Sequence, residues 1–411
     1  MKIPAHCDVL IVGAGPTGLM LAVQLARRGI TATLIERNPG PALQSRALGV
    51  QARTLEIYAQ LGIVDRALEL GQRATGANIW VEGKFGARVP VNDIGRNLSP
   101  YPFLLILGQD DNERLLGEVL SKHGVTVHWN TELIGLDQHA DGARATLKNG
   151  DGSIQEIRAA WVAGCDGARS AVRSFNKIEF SGAPYEQVFF VADTTVTGTM
   201  RPNELNVYLW RDEFHLFFPM RGRDHWRVAG ILPVELRHRS DLEFSDVIPV
   251  IRRQVGDTLA FSECRWFSTY RIHHRRAERF RQKRCFLLGD AAHIHSPVGA
   301  QGMNTGLQDA YNLAWKLALV VSGRSTESLL ESYAEERMPV AEKLLRTTDR
   351  GFALIVSDHW TSRVMRTRVL YRVIALAMRF ERLRKRAFGT ISQIGIRYRN
   401  ASLSETRSAW P

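Results

Sequence analysis

DVLIVGAGPTGLMLAVQLARRGITATLIE is the sequence of residues 8–36. It begins with a short apolar run, Asp8–Val12, which is typical of a buried parallel strand. A glycine-rich turn follows and opens a helix with apolar periodicity, Leu19–Arg28. Thr31–Ile35 predicts a second strand, which ends at the acid Glu36. The stretch therefore predicts the strand–turn–helix–strand unit that is found in nucleotide-binding α/β folds.

The turn in this unit supplies what a phosphate group requires, which is backbone donors with no side chains in the way. It consists of Gly13, Ala14, Gly15, Pro16, Thr17 and Gly18. Gly13 permits the tight turn, Gly15 lets backbone N–H groups reach a pyrophosphate, and Gly18 lets the helix pack closely on the strand. Glu36 stands where an acid accepts hydrogen bonds from a ribose. The unit therefore predicts a dinucleotide site rather than a glycine turn without a ligand, and it leaves both NAD and FAD open.

The composition fits a soluble globular protein of two or three domains, or of one elaborated core. The chain has 411 residues, of which 45% are hydrophobic and 23% are charged. The N-terminus lacks the pattern of a signal peptide, and no apolar stretch approaches the ~20 residues that span a bilayer. The four cysteines have neither metal-ligand spacing nor the density of a disulfide scaffold, so we expect a cytoplasmic protein.

The formal net charge of +12 suits nucleic acid, an anionic lipid surface or anionic small molecules. The sequence contains no signature of an RNA- or DNA-binding module, so nucleic acid is disfavoured. We expect most basic side chains to lie on solvated faces, with attraction of phosphorylated cofactors as the second explanation. One basic and amphipathic segment, Thr361–Phe388, can lie on an anionic membrane, although docking on the protein's own core is the more ordinary arrangement. No stable membrane insertion is expected.

Residues 188–232 predict a run of antiparallel strands that is rich in aromatic side chains. Tyr208 and Trp210 alternate with aliphatic neighbours, so these large rings lie on one face of the sheet. The candidates for a substrate pocket are Tyr208, Trp210, Phe217 and Trp226, together with His215. The alternative is that the rings fill a core between the sheet and a helix.

Two more glycine-rich motifs follow predicted strands. The first is CDGARSAVR, residues 165–173, which carries Asp166 in a turn before a helix. The second reads GDAAH at residues 289–293 and GAQGMNTG at residues 299–306, before a long helix. An acid at the end of a strand, such as Asp290, can bind a polyol hydroxyl, and the glycine-rich run places backbone N–H groups at a second helix N-terminus.

Two histidines of the last motif, His293 and His295, raise the question of a metal ion. Neither has a carboxylate or cysteine partner at the spacing of a metal site. A hydrogen-bonded structural role is therefore favoured, and no metal is predicted.

Together the three motifs resemble the class A flavoprotein aromatic hydroxylases, which are FAD-dependent monooxygenases, and most of all the phenol and polyketide hydroxylase branch. The resemblance extends from the N-terminus to about Arg337. It implies an α/β fold with a Rossmann-like FAD-binding domain and its parallel sheet, an antiparallel-sheet substrate domain and C-terminal helices. The implied boundaries are 1–76, 104–180 and 267–340 for the FAD-binding domain, 77–103 and 181–266 for the substrate domain, and 341–411 for the helical segment.

The resemblance also selects FAD as the cofactor and implies which residues hold it. The pyrophosphate is held by the first loop, through Gly13, Gly15, Pro16, Thr17 and Gly18. The adenosine side is held by Glu36 at the ribose, Arg37 beside the adenine and a backbone contact from Leu133. The remaining implied contacts are Arg46 and Gln109 at the diphosphate and ribityl region, Asp166 in a motif shared with the visiting NAD(P)H, Asp290 at the ribityl chain, and Pro297, Gly299, Gly302, Met303 and Asn304 beside the isoalloxazine.

The reaction implied by the resemblance is hydroxylation of a small aromatic substrate, phenolic or polyketide-like. NADPH or NADH reduces FAD and leaves, O2 adds to the reduced flavin, and the C4a-hydroperoxide transfers its terminal oxygen to an electron-rich ring. The substrate is expected between the aromatic sheet and Pro297, with His215 or His293 taking the phenol proton. Epoxidation, Baeyer–Villiger oxidation and antibiotic inactivation share this fold and stay open, as does an FAD-binding protein without turnover.

One feature departs from the family pattern. Many members of the branch continue into a thioredoxin-like C-terminal domain, whereas this sequence ends at Pro411, near where that domain begins. Dimer contacts or pocket walls that such a domain supplies are therefore in doubt, and we expect either a monomer or a homodimer.

Overall fold

The computed structural model of this chain describes residues 3–42, 47–91, 94–210, 213–239, 241–256, 258–296, 299–356 and 359–405. The strands, in chain order, are β1 (His6–Val12), β2 (Ala32–Ile35), β3 (Gly49–Val50), β4 (Gln72–Ala74), β5 (Gly76–Val81), β6 (Lys84–Pro90), β7 (Leu104–Ile106), β8 (Val127–His128), β9 (Thr131–Gln138), β10 (Ala143–Asn149), β11 (Ile154–Gly164), β12 (Phe180–Gly198), β13 (Glu204–Leu209), β14 (Phe214–Pro219), β15 (His225–Ile231), β16 (Leu259–Ala277), β17 (Arg281–Gln282), β18 (Cys285–Leu287) and β19 (His293–Ile294).

The α-helices are α1 (Pro16–Ala26), α2 (Ala52–Gln60), α3 (Val64–Leu70), α4 (Gln109–Lys122), α5 (Ala171–Phe175), α6 (Phe244–Val255), α7 (Gly302–Val321), α8 (Glu331–Val356), α9 (Trp360–Val364), α10 (Tyr371–Ala377) and α11 (Glu381–Ile391). Short 3-10 turns cover Val234–Leu236, Gly289–Ala291 and Glu327–Leu330. A π-helical turn, Met365–Leu370, joins α9 to α10.

The first sheet is built around β1, which runs parallel to β2 on one side and to β11 on the other. Its strand order is β17–β18–β11–β1–β2–β8, and β10 and β9 extend it antiparallel from β11. Val9, Leu10 and Ile11 are completely buried, because helices pack on the sheet and both edges of β1 are paired. The predicted parallel sheet of an α/β fold is therefore confirmed.

The second sheet has the order β19–β16–β12–β15–β14–β13–β5–β6 and is antiparallel except where β13 runs alongside β5. Helix α6 covers one face, where Phe244 and Ile251 pack against Phe190 and Phe217. Residues of α8 and α10 contribute to the core on the other face. The predicted antiparallel sheet and C-terminal helices are confirmed, and both faces of the sheet are covered.

A small third sheet, β3–β7–β4, lies beside the second sheet. Its buried residues Leu48, Ala74 and Ile106 form a cluster against which Phe218 and Met220 of the second sheet pack. This contact brings one face of the aromatic sheet close to the strand that begins at Gly49.

The glycine-rich motifs meet at the side chain of Thr17. A Cβ added at Gly289 would lie 2.7 Å from Thr17 Oγ1, and one added at Gly306 would lie 2.4 Å from the same atom. Only glycine at these two positions allows α1, the Gly289 turn and α7 to approach so closely. Two of the motifs, although far apart in sequence, are therefore in direct contact.

No helix of the described ranges combines the length and the apolar character that a membrane span requires. Within the same ranges, no three His, Cys, Asp or Glu side chains gather as metal ligands would.

Gly306→Ala is expected to lower the free energy of unfolding by about 1–3 kcal/mol through overpacking, although alanine is otherwise the better helix former. The added Cβ lies 2.4 Å from Thr17 Oγ1, so the contact between α1 and α7 must open. Urea unfolding followed by circular dichroism measures the change. Gly117→Ala in α4, whose added Cβ meets no atom within 4 Å, is the matched control and is expected to be neutral or stabilising. Equal effects of the two substitutions would contradict the packing argument.

Candidate functional site

The N-terminus of α1 is open to a ligand. Its N-cap residue is Gly15, its first turn begins with Pro16, and no side chain caps it among the described residues. A Cβ added at Gly15 meets no atom within 4 Å. The first backbone N–H groups of a helix lack intrahelical partners and carry a partial positive charge, so this end of α1 can bind an anionic group.

Glu36 is tied to the same turn. Its Oε2 accepts the backbone N–H of Ala14 at 2.9 Å, and its Oε1 accepts the backbone N–H and side-chain amide of Asn38 at 3.0 and 2.6 Å. The backbone N–H of Thr131 donates to the carbonyl oxygen of Glu36 at 2.8 Å, which places the start of β9 beside it. Leu133 is buried in that strand, whereas Arg37 is exposed.

The second motif, residues 165–173, packs against the glycine-rich turn of the first motif. The backbone N–H of Cys165 donates to Val12 at 2.8 Å, and a Cβ added at Gly13 would lie 2.4 Å from the carbonyl oxygen of Cys165. Asp166 Oδ2 accepts the backbone N–H groups of Ala171 and Val172 at 2.6 and 3.1 Å, so this acid binds the first turn of α5, whose N-cap residue is Ser170. Burial raises the pKa of Asp166 above its ordinary value.

A buried carboxylate, Asp309 of α7, fixes the third motif. Its Oδ2 accepts the backbone N–H of Gly289 at 3.0 Å and lies 2.7 Å from His293 Nε2, while its Oδ1 accepts from Arg337 Nε at 2.6 Å. Asp309, His293 and Arg337 are all buried. Burial alone would raise the pKa of Asp309, but Arg337 and His293 outweigh it and hold the pKa below its ordinary value.

Asn304 joins the third motif to β3 and α2. Its side-chain oxygen accepts from the backbone N–H of Gln51 at 2.9 Å and from Thr54 Oγ1 at 2.7 Å. Its amide donates to the carbonyl oxygens of Gly49 and Ala300, both at 2.8 Å. All the hydrogen-bonding capacity of this buried side chain is therefore used, and the residue sets the position of the loop that leads into α7.

Other predicted cofactor residues lie around the same loop. Met303 Sδ accepts from Asn112 Nδ2 at 3.2 Å, and Gln109, the first residue of α4, donates to Glu113 Oε1 at 2.9 Å. Asp290 and Gly299 are exposed, and Gly299 has a φ of +80°, which favours glycine. Arg46 and Pro297 lie outside the described residues.

The C-terminal segment contacts this loop as well. Gln393 is buried, and its side-chain amide donates to Thr305 Oγ1 at 2.8 Å. Arg337 donates to Tyr398 Oη at 3.1 Å. Sequence analysis missed Asp309, Arg337 and Gln393, because their partners are far away in sequence and no local pattern marks them.

The two histidines predicted to take a proton each have one ring nitrogen beside a neighbouring side chain. His293 Nε2 lies against Asp309. His215 is fully buried, its Nδ1 lies 2.6 Å from Gln254 Oε1 of α6, and burial lowers its pKa to about 4. The other ring nitrogen of His215, Nε2, is buried and has no hydrogen-bond partner among the described residues. The proton-accepting role of these two histidines therefore stays a prediction.

His295 has a free acceptor instead. Its Nδ1 lies 2.8 Å from the carbonyl oxygen of Ser296, which can only accept, so Nδ1 carries the proton. Nε2 is left with a lone pair and no partner among the described residues, and a Cβ added at Gly302 would lie 3.6 Å from it. Burial lowers the pKa of His295 to about 4, so the ring is neutral at pH 7. In the sequence, the signal that could have indicated His295 as a functional residue is its position between GDAAH and the glycine run at residues 299–306.

The predicted aromatic pocket residues lie on the α6 side of the second sheet. Tyr208, Phe217 and Trp226 belong to the core formed with α6, while Trp210, at the end of β13, is half-buried. Their sequence neighbours point the other way, and Phe218 packs on the cluster around Leu48. The face that packs on the cluster around Leu48 is therefore the opposite one. The pocket role of the four aromatic residues stays a prediction.

Comparison with known proteins identifies the family. The model of the family described as FAD binding domain matches residues 6–348. The chain belongs to this family. Its similarity to 6-methylpretetramide 4-monooxygenase from Streptomyces rimosus is 38% identity over 85% of this chain and 62% of that protein. It is 35% identical to pentachlorophenol 4-monooxygenase from Sphingobium chlorophenolicum, over 86% of this chain and 65% of that protein.

A solved structure, that of an anhydrotetracycline hydroxylase from Streptomyces rimosus, matches this FAD-binding chain with a TM-score of 0.79 and 30% identity, over 97% of this chain and 78% of that one. The chain spans less than two thirds of the length of the two relatives named above. The predicted family and its cofactor, FAD, are confirmed.

The described residues fit FAD. The N-terminus of α1 offers backbone donors beside Gly15, where no atom lies within 4 Å of an added Cβ. Near the second glycine run, His295 Nε2 and Ser296 Oγ are buried without a hydrogen-bond partner among the described residues. Buried polar groups are rarely left unpaired in a native protein, so a ligand beside the second glycine run can complete the hydrogen bonding of these two atoms.

Asp309→Asn is expected to destabilise the protein by about 3–5 kcal/mol, because Arg337 keeps its charge in the core and loses its counter-charge. Since the pKa of Asp309 is lower in the folded protein than its ordinary value of 3.8, its contribution is complete above that pH and is lost only in more acid solution. Thermal and urea unfolding at pH 7 measure the change. Asp241→Asn, at an exposed pair with Arg239, is the control and should leave stability unchanged.

Gln393→Ala is expected to weaken FAD binding about fivefold, the effect of one lost hydrogen bond to Thr305 in the first turn of α7. The decrease in flavin fluorescence on binding gives the dissociation constant of FAD. Gln282→Ala, on the half-buried strand β17, is the matched control. An unchanged dissociation constant in both variants would show that the C-terminal segment does not position this loop.

Proposed function

We propose that this protein is an FAD-dependent monooxygenase that uses NAD(P)H and O2 to hydroxylate an electron-rich aromatic substrate, phenolic or polyketide-like. One observation carries the proposal. The first and third glycine-rich motifs meet at Thr17, and the loop around Ala300 touches Gly49 beside an apolar face of the second sheet. A dinucleotide bound along these loops has its reactive end next to a surface that suits an aromatic ring.

We assign the cofactor contacts to the residues that line this path. The turn from Gly13 to Gly18 and the N-terminus of α1 take the pyrophosphate, and Glu36 with the start of β9 takes the adenosine side. Asp290, Gly302, Met303 and Asn304 stand at the ribityl and isoalloxazine end, while Asp166 holds the supporting turn. When bound, FAD supplies the redox chemistry, accepting a hydride from NAD(P)H and activating O2.

The substrate pocket in this proposal lies on the sheet face opposite α6. Its side chains are the apolar residues that pack towards the cluster of Leu48, Ala74 and Ile106, namely Leu104, Leu205, Phe218 and Met220. Apolar walls here keep water from the reacting atoms, which limits the wasteful release of hydrogen peroxide.

His295 is our candidate for the group that receives a phenolic proton. Its Nε2 carries a lone pair, its ring is neutral at pH 7, and it adjoins Gly302. A positioned acceptor of this kind increases the electron density of a phenol ring as the hydroxyl proton is withdrawn. His215 Nε2 also lacks a partner among the described residues, but this ring is fully buried beside Gln254 of α6, away from Gly302. His293 Nε2 lies against Asp309.

The cellular setting belongs to the proposal too. The four cysteines, Cys7, Cys165, Cys264 and Cys285, are all free thiols, which is expected in a reducing compartment. We propose a cytoplasmic enzyme that is a monomer or a homodimer. Size-exclusion chromatography with light scattering measures the oligomeric state.

The test uses the full chain loaded with FAD. A panel of phenols and polycyclic aromatics is scored for NADH and NADPH oxidation with coupled O2 uptake, and products made under 18O2 are analysed by mass spectrometry. Insertion of one labelled oxygen as a ring hydroxyl supports the proposal. A labelled lactone would instead indicate Baeyer–Villiger oxidation, and a labelled epoxide would indicate epoxidation. If neither NADH nor NADPH reduces the bound flavin, the protein binds FAD without turnover and the proposal is overturned.

Phe218→Ala and Phe217→Ala test the assignment of the sheet face. Phe218→Ala is expected to raise the KM for the aromatic substrate and to increase uncoupled peroxide release, with little change in FAD content. Phe217 is fully buried against α6, so Phe217→Ala is expected to cost about 3–5 kcal/mol of stability and to leave the KM of the folded fraction unchanged. The reverse pattern would place the pocket on the α6 side.

A further inference from the structure

The helical stretch from α9 to α10 is docked on the protein through one face only. Ile374, Met378 and Tyr371 pack on the core cluster between the second sheet and α8. Arg366 is fully buried and donates through Nε to the carbonyl oxygen of Trp210 at 3.1 Å. The inner face of this stretch is therefore occupied by the protein's own core, as the more ordinary of the two predicted arrangements requires.

The outer face carries a continuous apolar stripe. Of the sixteen large hydrophobic side chains that are exposed in the described residues, nine lie between residues 360 and 391. The stripe consists of Trp360, Val364, Val369, Val373, Leu376 and Phe380, and the exposed fraction of Trp360 reaches 69%. Successive members are three to five residues apart, and the step of five crosses the π-helical turn. Because that turn is wider, the helical members of the stripe, from Trp360 to Leu376, stay on one side of the helix, and Phe380 lies in the turn after α10.

Arginines border this stripe. Residues 359–391 contain nine Arg or Lys and one acid, Glu381, which pairs with Lys385 at 2.7 Å. Four exposed arginines each directly precede an exposed apolar residue: Arg368, Arg372, Arg379 and Arg382. Arg368, Arg372 and Arg382 lie in helical turns, so each stands about 100° around its helix from its apolar neighbour, whereas Arg379 lies in the turn between α10 and α11. These arginines give the apolar stripe a basic edge.

We propose that this outer face, residues 360–383, docks on an anionic lipid surface. An apolar stripe with a basic border and no acidic face inserts its apolar side chains at the acyl boundary while its arginines contact anionic headgroups. The attachment is interfacial, since no described helix has the character of a membrane span. This inference does not depend on the proposed oxidation chemistry.

Charge complementarity favours a lipid surface over a second copy of the chain. In a symmetric dimer through this face, the arginine borders of the two copies oppose each other, and like charges at an interface are unfavourable. A polyanion without an apolar phase satisfies the arginines and leaves the exposed side chains of Trp360, Val373 and Phe380 in water. An anionic bilayer satisfies both halves of the surface, since its acyl chains contact the apolar stripe and its headgroups contact the arginine border.

The experiment is co-sedimentation of the full FAD-loaded chain with vesicles of phosphatidylcholine alone or with a quarter of phosphatidylglycerol, at 0.1 and 0.5 M NaCl. We expect the partition coefficient to be at least about tenfold higher on the phosphatidylglycerol vesicles and to fall at the higher salt concentration. Equal binding to both vesicles, or no binding to either, overturns the proposal.

Two variants and one control separate the two halves of the surface. Leu376→Asp/Phe380→Asp removes apolar side chains from the stripe, and Arg372→Glu/Arg379→Glu reverses two border charges. Each is expected to lower the partition coefficient at least about tenfold. Ile154→Asp replaces an apolar side chain that is 66% exposed on β11 and should bind as the parent does. Circular dichroism and flavin content confirm that each variant is folded.

A second copy as occupant is tested in the same samples by sedimentation velocity without lipid. If Leu376→Asp/Phe380→Asp converts a dimer into a monomer, this face is an interface between copies and the lipid proposal is overturned. An unchanged sedimentation coefficient together with weakened vesicle binding supports the lipid surface.

Discussion

The ion pair between Asp309 and Arg337 is the interaction on which the geometry of the cofactor site depends. Both groups are buried, so each requires the other, and removing either leaves an uncompensated charge in the core. The same carboxylate holds the Gly289 turn and His293. Since one acid joins a turn, an imidazole and two helices, these parts cannot shift independently, and the N-terminus of α7 is held in a fixed relation to the end of β18.

Close approach of backbone is the second constraint, and the sequence displays it directly. Gly13, Gly289 and Gly306 each stand where a Cβ would collide with a neighbouring motif. A collision of this kind can be avoided only by glycine, which is why three short glycine-rich stretches were enough to predict a shared dinucleotide site and a parallel sheet. Each glycine-rich stretch can be recognised from its own local sequence, although the contacts that require its glycines are made with residues far away in the chain.

The choice of sheet face could not be predicted in the same way. Where one face of a strand is solvated, polar residues mark it, but α6 covers one side of this sheet and α8 with the small third sheet covers the other. Both Phe217 and Phe218 are therefore apolar, and the period of two separates the faces without saying which one meets the cofactor loops. The partners of Asp309 and Gln393 were hidden for a related reason, since buried polar pairs between distant segments leave no periodic signal.

Contacts to the candidate site extend beyond the residues that match the family. The family match ends at residue 348, yet Gln393 and Tyr398, beyond it, complete hydrogen bonds of Thr305 and Arg337. A buried polar group that loses its partner costs more than the partner's hydrogen bond contributes, so these contacts hold the segment that follows α11 against α7 and α8. The helices between these two regions consequently have their inner face fixed by the core at Arg366, Tyr371 and Ile374. The core does not contact the outer face of these helices, which carries the exposed apolar stripe and the arginines that border it.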